Sequence, residues 1–458
     1  MSKRQLFGTD GIRGVANHHP MTADLVLRLG QAVADHFSGR RQGRSAPFGH
    51  RTRIVIGKDT RVSGYMFESS LAAGITSMGA DVQLVGPLPT PGISFLTTGM
   101  RADAGIVISA SHNAYQDNGI KIFGADGYKL PDTEELAIES MVLGDDPPRP
   151  EPDRVGKATR IDDATGRYIV FLKNTFPADL TLDGLRVVVD CANGAAYKVA
   201  PAVLRELGAE VFTLGDDPDG YNINQDCGSL HPYQTAQRVR ETRADLGITL
   251  DGDADRLILI DEQGQTIDGD QTLAMCAIDL HRQGRLAHDT LVTTIMSNVG
   301  LEVALERHGI DLVRTAVGDR YVVEEMRQQG YTLGGEQSGH LIFREHSTAG
   351  DGMLAALQVL AIIQRHQRPL SELASVMTPF PQTLVNVDVR EKPPLDELDE
   401  FQSMVQQVED ELSQEGRVVA RYSGTEAKAR IMVEGPDHQR VDHYARQLSD
   451  QLRTLIGA

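Results

Sequence analysis

The sequence predicts an α/β protein: three related α/β domains followed by a smaller α+β domain. Three observations carry this. A chain of 458 residues exceeds what one hydrophobic core supports, and length alone suggests about three domains. A unit of strand, loop, helix, glycine and strand recurs three times. From about residue 376 that unit gives way to strand, long helix, two strands and a final helix.

The first unit runs RIVIG, a helix around MFESSLAAGITSM, then GADVQLVG from Gly79. The second runs LRVVVD, a helix around VAPAVLREL, then GAEVFTLG from Gly208. The third runs LVTTIM, a helix around GLEVALERH, then GIDLVRTA from Gly309. Each glycine sits where a helix closes with a left-handed residue. The strands are nearly continuous apolar runs, as expected where helices cover both faces of a parallel sheet. GDDPPRPEPD, residues 144 to 153, reads as an extended linker, and SGRRQGRSAPFGH, residues 38 to 50, as a solvated loop. The last domain follows as QTLVNVDV, LDELDEFQSMVQQVEDEL, GRVVAR, ARIMVEG and a helix. The expected boundaries are 1–150, 151–260, 261–375 and 376–458.

The net charge of −19 argues against a nucleic-acid or anionic-membrane surface, while a local cluster of Arg and Lys still permits small anionic substrates. Cys191, Cys227 and Cys276 lack CxxC spacing, so neither a disulfide framework nor a zinc site is expected. The chain opens MSKRQLFGTDGIRG without an apolar leader, and no stretch approaches a bilayer span. The expected compartment is the cytoplasm.

LGITLDGDADRLILID, residues 246 to 261, gives the sharpest chemical signal. Two apolar strands flank Asp251, Asp253 and Asp255, three carboxylates that repel one another unless a cation neutralises them. Hard oxygen ligands suit magnesium, completed by water and a phosphate. A calcium loop of the EF-hand type fails because Arg256 stands where that loop needs glycine, and the flanks are strands. RYSGTEAKAR, residues 421 to 430, offers Ser423, Gly424 and Thr425 between Arg421 and Arg430. Convergent donors with positive charge suit a phosphate. In GGEQSGH, residues 334 to 340, Glu336 and Ser338 suit sugar hydroxyls and His340 a proton transfer. In SASHNAYQDNGIK, residues 109 to 121, Ser111 is a turn residue or a nucleophile. A metal loop and a phosphate loop elsewhere, each at a strand end, favour a hydroxyl that accepts and donates a phosphoryl group.

Taken in order, SASHN, DGDADR, GEQSGH and RYSGTE resemble the four signatures of the α-D-phosphohexomutases. FGTDGIRG and VGDRYVVEEM, residues 317 to 326, are similar to the phosphoglucosamine mutase branch. The resemblance implies mixed sheets and four domains in a heart-shaped arrangement around a central cleft. It implies interconversion of glucosamine 6-phosphate and glucosamine 1-phosphate, toward UDP-N-acetylglucosamine and the peptidoglycan of the cell wall. The alternative is phosphomannomutase or phosphoglucomutase activity on hexose phosphates.

By the same resemblance Ser111 is a phosphoserine in the active form, with glucosamine 1,6-bisphosphate as primer and intermediate. Asp251, Asp253 and Asp255, with the phosphoserine at Ser111, hold one Mg2+. Glu336 and Ser338 bind sugar; Arg421, Ser423, Gly424, Thr425 and Arg430 hold the non-reacting phosphate. Lys121 and His340 are both candidates for proton transfer, and Arg13 and Arg256 add positive charge. Ala114 stands where the family often has proline, leaving the loop after Ser111 less rigid, and Tyr422 and AKAR also depart from the usual pattern. Partners are small-molecule sugar phosphates, without nucleic acid or membrane. The oligomeric state stays open, with a homodimer the assembly the resemblance suggests.

Overall fold

The computed structural model describes residues 4–8, 10–42, 51–145, 147–412, 416–423 and 427–458. The three recurring units fold alike. In the first, strand Arg53–Lys58 pairs parallel with Asp81–Pro87 on one side and Ala104–Ile108 on the other. Asp117–Gly124 then returns antiparallel beside Ala104–Ile108. The second unit repeats this order with Arg186–Asp190, Glu210–Leu214, Leu246–Leu250 and the returning Leu257–Asp261. The third repeats it with Thr290–Thr294, Asp311–Thr315, Leu333–Gly335 and the returning Leu341–Phe343.

Each sheet is therefore mixed, as the resemblance implies. The reason is loop length. A parallel neighbour needs a long crossover, whereas only residues 251–256 separate Leu246–Leu250 from Leu257–Asp261, enough for a hairpin. Ala104–Ile108, Leu246–Leu250 and Thr290–Thr294 are buried at every residue, which accounts for their lack of charged side chains. Gly79, Gly208 and Gly309 all adopt positive φ, as their places after the helices predict.

The first sheet is the widest. Phe7–Gly8 and Gly11–Val15 extend it at one edge, and Ala158–Arg160 pairs with Asp81–Pro87 at the other. Residues 38–42, expected in a solvated loop, instead complete the helix Ala23–Gln42; residues 43–50 lie outside the described residues. Among the described residues no helix is long and apolar enough to cross a membrane.

One continuous core joins the first three units, running from Val55 to Met377. Helix Gly352–His366 lies within it and is buried from Gly352 through Leu357 and again over Val359–Ile363, so its sequence is apolar all round. Truncating Leu357 to alanine there removes a side chain with no exposure and costs about 2–5 kcal/mol. The C-terminal domain stands apart. Its antiparallel sheet, Gln382–Asp388, Lys428–Glu434 and Arg417–Tyr422, packs on helices Asp399–Leu412 and His438–Ile456 over a core of its own.

Candidate active site

The loops singled out in the first three units all occupy one topological position, the turn between the third strand and its antiparallel return. Ser111 lies between Ala104–Ile108 and Asp117–Gly124, and the three aspartates between Leu246–Leu250 and Leu257–Asp261. Glu336, Ser338 and His340 lie between Leu333–Gly335 and Leu341–Phe343. The fold brings the Ser111, aspartate and His340 loops into contact.

Ser111 is buried and adopts a left-handed φ of 52°. Its amide donates to Ser109 Oγ at 2.9 Å, and its own Oγ donates to Asp251 Oδ2 at 2.6 Å. Asp251, Asp253 and Asp255 are all buried, with one ligand oxygen from each within 4.8 Å of the others. Gly252 permits the approach of this loop to Ser111: a Cβ there would fall 2.6 Å from the Ser111 carbonyl oxygen. Asp253 is fixed by Thr90, whose Oγ1 donates to Oδ2 at 2.7 Å. Asp253 Oδ1 and Asp255 Oδ1 are buried without a hydrogen-bond partner. Hard, clustered, unsatisfied oxygens fit a divalent cation.

Burial, with Asp255 and Asp253 alongside, pushes the Asp251 carboxyl well above the ordinary range. Burial works the same way on Asp255, but Lys121 above all outweighs it and holds that carboxyl well below the range. Lys121 Nζ sits 3.0 Å from Asp253, 3.3 Å from Asp10 and 3.4 Å from Asp255. Burial opposes its charge; these three carboxylates prevail and keep it firmly protonated. Burial also opposes a charged His340, yet Asp255 and then Asp319 lift its ring above the usual imidazole range. His340 Nδ1 lies 3.7 Å from Asp255 and Nε2 3.5 Å from Asp319, both longer than a good hydrogen bond. His112, beside Ser111, is driven down to about 4 by burial and then by Arg256 and Arg13.

Arg13 pairs with Asp10, and Arg256 Nε approaches Asp255 at 4.0 Å. The Nε groups of both arginines are buried without a hydrogen-bond partner. Glu336 is half-buried, accepting from the Gly318 amide at 3.2 Å and from Ser338 Oγ at 3.4 Å.

The fourth candidate loop lies on the separate C-terminal sheet. Arg421 and Arg430 stand directly opposite each other in adjacent strands. Burial and then the facing Arg430 lower the Arg421 pKa. Ser423 donates its amide to the Lys428 carbonyl at 2.8 Å. Gly424 and Thr425 lie outside the described residues. Among the described residues no hydrogen bond or ion pair links Arg421 to the Ser111 group.

Four family models match the chain in series. They are described as phosphoglucomutase/phosphomannomutase domains I, II and III and C-terminal domain, over residues 4–148, 166–264, 268–380 and 384–451. The chain belongs to the phosphoglucomutase/phosphomannomutase family.

Within this family it falls in the phosphoglucosamine mutase branch. It is 60% identical to the phosphoglucosamine mutase of Syntrophotalea carbinolica, over 99% of this chain and 98% of that protein. It is also 60% identical to that of an Anaeromyxobacter species, over 99% and 96%. A phosphoglucomutase/phosphomannomutase family protein from Burkholderia thailandensis superposes with a TM-score of 0.79 at 23% identity, covering 98% of this chain and 97% of that one. N-acetylphosphoglucosamine mutase from Aspergillus fumigatus, solved with GlcNAc-6P and magnesium, gives a TM-score of 0.68 at 17% identity, over 99% and 96%. These two structures bear on the fold.

Sequence reasoning missed several members of the site. Asp10 lies in FGTDGIRG and Asp319 in VGDRYVVEEM, two stretches that read as branch fingerprints without assigned roles. Lys129 joins them, with Nζ 2.6 Å from each carboxylate. Arg320 reaches across to Asp132 and to Glu135, the latter at 2.8 Å. The branch fingerprint thus ties the third unit to the first around His340. Thr90, Arg61 and Asn224 carry no motif signal; they matter only because the fold delivers them to these loops.

Proposed function

We propose that the chain interconverts glucosamine 6-phosphate and glucosamine 1-phosphate through glucosamine 1,6-bisphosphate, with Ser111 carrying the phosphoryl group between them. The observation that supports this most directly is the 2.6 Å contact between Ser111 Oγ and Asp251 within a buried aspartate triad. Asp251, Asp253 and Asp255 would hold magnesium, which supplies charge neutralisation and polarisation at the transferring phosphoryl group.

The residues of the chain do the rest. A phosphorylated Ser111 presents its phosphoryl group to the free hydroxyl of a bound sugar monophosphate. The new O–P bond forms at that hydroxyl as the Ser111 Oγ–P bond breaks, and the hydroxyl proton passes by way of a base to the departing Ser111 Oγ. Arg13 and Arg256, each with a buried and unpartnered Nε, are placed to meet phosphoryl oxygens, which favours a largely electrostatic catalysis. Of the two proton-transfer candidates, Lys121 is occupied by three carboxylates. His340 Nε2 lacks a hydrogen-bond partner, so it is the better-placed group to exchange a proton with a sugar hydroxyl. Glu336 and Ser338 bind the sugar, and the Arg421/Arg430 pair with the loop from Ser423 through Thr425 grips the phosphate that does not react.

The resulting bisphosphate, rebound in the opposite orientation, returns its other phosphoryl group to Ser111. Positions and charges persist through both halves, so one site serves both directions. A coupled assay with glucosamine 6-phosphate, and with glucose and mannose phosphates in parallel, tests the reading. Turnover confined to the amino sugar, lost in Ser111→Ala, is expected. Normal turnover in that variant overturns the role of Ser111, and faster turnover of glucose or mannose phosphate overturns the substrate.

A further inference from the structure

Arg61 is fully buried and lies between strand Arg53–Lys58 and helix Ser63–Ser77, outside every motif described above. Its guanidinium donates only to backbone carbonyls of the Ser111 loop. Nη2 donates to Ser111 O at 2.9 Å and to Asn113 O at 2.9 Å. Nη1 donates to Asn113 O at 3.1 Å and to Ala114 O at 3.0 Å. Nε lies 2.9 Å from Asp59 Oδ2, an ion pair out of line for a hydrogen bond. Asp59 Oδ1 accepts from the Arg61 amide at 3.0 Å, and the Asp59 amide donates to Ile108 O at 3.0 Å. The arginine is thereby anchored to the strand that delivers the loop.

A second donor arrives from the second unit. Asn224 Nδ2 donates to Ser111 O and to Asn113 O, both at 2.9 Å. The Ser111 carbonyl is therefore held from two domains at once, on the side where Gly252 of the aspartate loop packs against it.

The left-handed turn at Ser111 turns three carbonyl groups of one short loop, those of Ser111, Asn113 and Ala114, toward these donors. A non-glycine residue keeps such a conformation only where its surroundings over-determine it, and buried carbonyls demand donors. A rigid guanidinium fork satisfies several at once, which a lysine ammonium cannot do with the same geometry. Ala114 does not stiffen the loop as proline would, so the rigidity has to come from these donors.

We propose that Arg61 and Asn224 are positioning residues: they clamp the backbone of the Ser111 loop so that Ser111 Oγ faces the aspartate triad. This rests on the reading of Ser111 as the phosphoryl carrier. The clamp touches neither sugar nor phosphate. Its loss therefore lowers kcat and the rate at which the bisphosphate phosphorylates Ser111, while KM for the monophosphate stays within about threefold. A displacement of about 1 Å at a reacting group costs on the order of a hundredfold in rate.

The test compares the wild type, Ser111→Ala, Arg61→Met, Arg61→Lys and Asn224→Ala as full-length proteins with magnesium. Steady-state kinetics and intact-mass measurement of Ser111 phosphorylation after mixing with glucosamine 1,6-bisphosphate are the readouts. Arg61→Met is expected to lose about a hundredfold in kcat, Arg61→Lys to recover at least tenfold of that, and Asn224→Ala to lose about tenfold. Should Arg61→Met fail to fold, Asn224→Ala decides. A lowered melting temperature with kcat and phosphorylation rate unchanged, or a change in KM alone, overturns the clamp. An inactive wild type or an active Ser111→Ala instead overturns the functional reading beneath it.

Discussion

Asparagine at position 251 separates the cost of the acidic triad from its use. The ligand oxygens of Asp251, Asp253 and Asp255 lie within 4.8 Å of one another. At an effective dielectric constant of about 20, two unit charges at that separation repel by about 3 kcal/mol. Lys121 offsets Asp253 and Asp255, but among the described residues no cation forms an ion pair with Asp251. Asp251→Asn removes that uncompensated charge, keeps one oxygen to accept from the Arg256 amide, and replaces Oδ2 with an NH2 that donates to the Ser111 hydroxyl oxygen. In EDTA, above the pH at which the raised Asp251 carboxyl ionises, the variant is therefore expected to melt at or above the wild type, by up to roughly 4 °C if the full repulsion is relieved. Magnesium reverses the comparison. At about one hundred times its Kd the ion stabilises the wild type by about 2.7 kcal/mol, and the variant, lacking a charged ligand, responds little. Differential scanning fluorimetry in EDTA and across a magnesium series reads both effects on the same transition. A variant melting several degrees below the wild type in EDTA would make the Asp251 carboxylate a structural necessity. A variant responding to magnesium as the wild type does would move the ion elsewhere. Either result refutes the reasoning.

Lys121→Met strips Asp10, Asp253 and Asp255 of their shared buried cation and is expected to cost about 3–5 kcal/mol in metal-free urea unfolding; an unshifted midpoint contradicts this. Arg421→Ala is expected to raise KM for the monophosphate about tenfold or more, with kcat changing less, in steady-state assays. Asp270, buried at the head of helix Gly269–Arg282, has its carboxyl raised from 3.8 to about 7 by burial and then by Asp268. The folded state therefore holds this proton more tightly than the unfolded chain, and the stability it lends is full below 3.8 and lost as pH rises through about 7. Melting temperatures from pH 4 to 8 should show Asp270→Asn gaining on the wild type as pH rises, with a ceiling of about 4 kcal/mol; a constant difference between the two sinks the assignment.

The elements that were legible in the sequence are those whose signal is local. Apolar runs such as LRVVVD, and glycines at 79, 208 and 309 closing helices with positive φ, depend on neighbours within one turn. The aspartate triad was legible because three carboxylates within five residues need a cation wherever they fold. The antiparallel fourth strands were not read from the residues, since a buried strand looks apolar whichever way its neighbour runs. Arg61 and Asn224 were invisible for a different reason. Their partners are carbonyl groups of a loop 50 and 113 residues away from them, and a carbonyl has no sequence identity to recognise. Asp319 and Lys129 pair at a separation of 190 residues; one half of that pair sat inside a recognised stretch, yet its role required the other. A helix running through residue 42 replaced the expected loop because small and polar residues do not by themselves break a helix already begun.

The threefold repeat explains why the site can be shared at all. Each unit turns back at the same step, so three hairpin loops with different side chains arise at equivalent ends of three sheets. The Leu257 amide donates to the Gly339 carbonyl at 2.9 Å, and the Ser111 carbonyl accepts from the Asn224 side chain with Gly252 packed close beside it, so these loops meet at their backbones. One continuous core beneath them fixes their spacing. The fourth domain has its own core and a different sheet, and it carries the facing arginines. Among the described residues a polar contact joins it to the third unit. Arg417 donates to the Ser297 carbonyl at 2.5 Å. Under the proposed mechanism, a sugar bisphosphate offering either end to Ser111 would change the distance and direction between its reacting and gripped phosphates. On that proposal, loops set on a common core would hold the reacting end closely, and a grip on a domain with its own core would accommodate the difference at the other end.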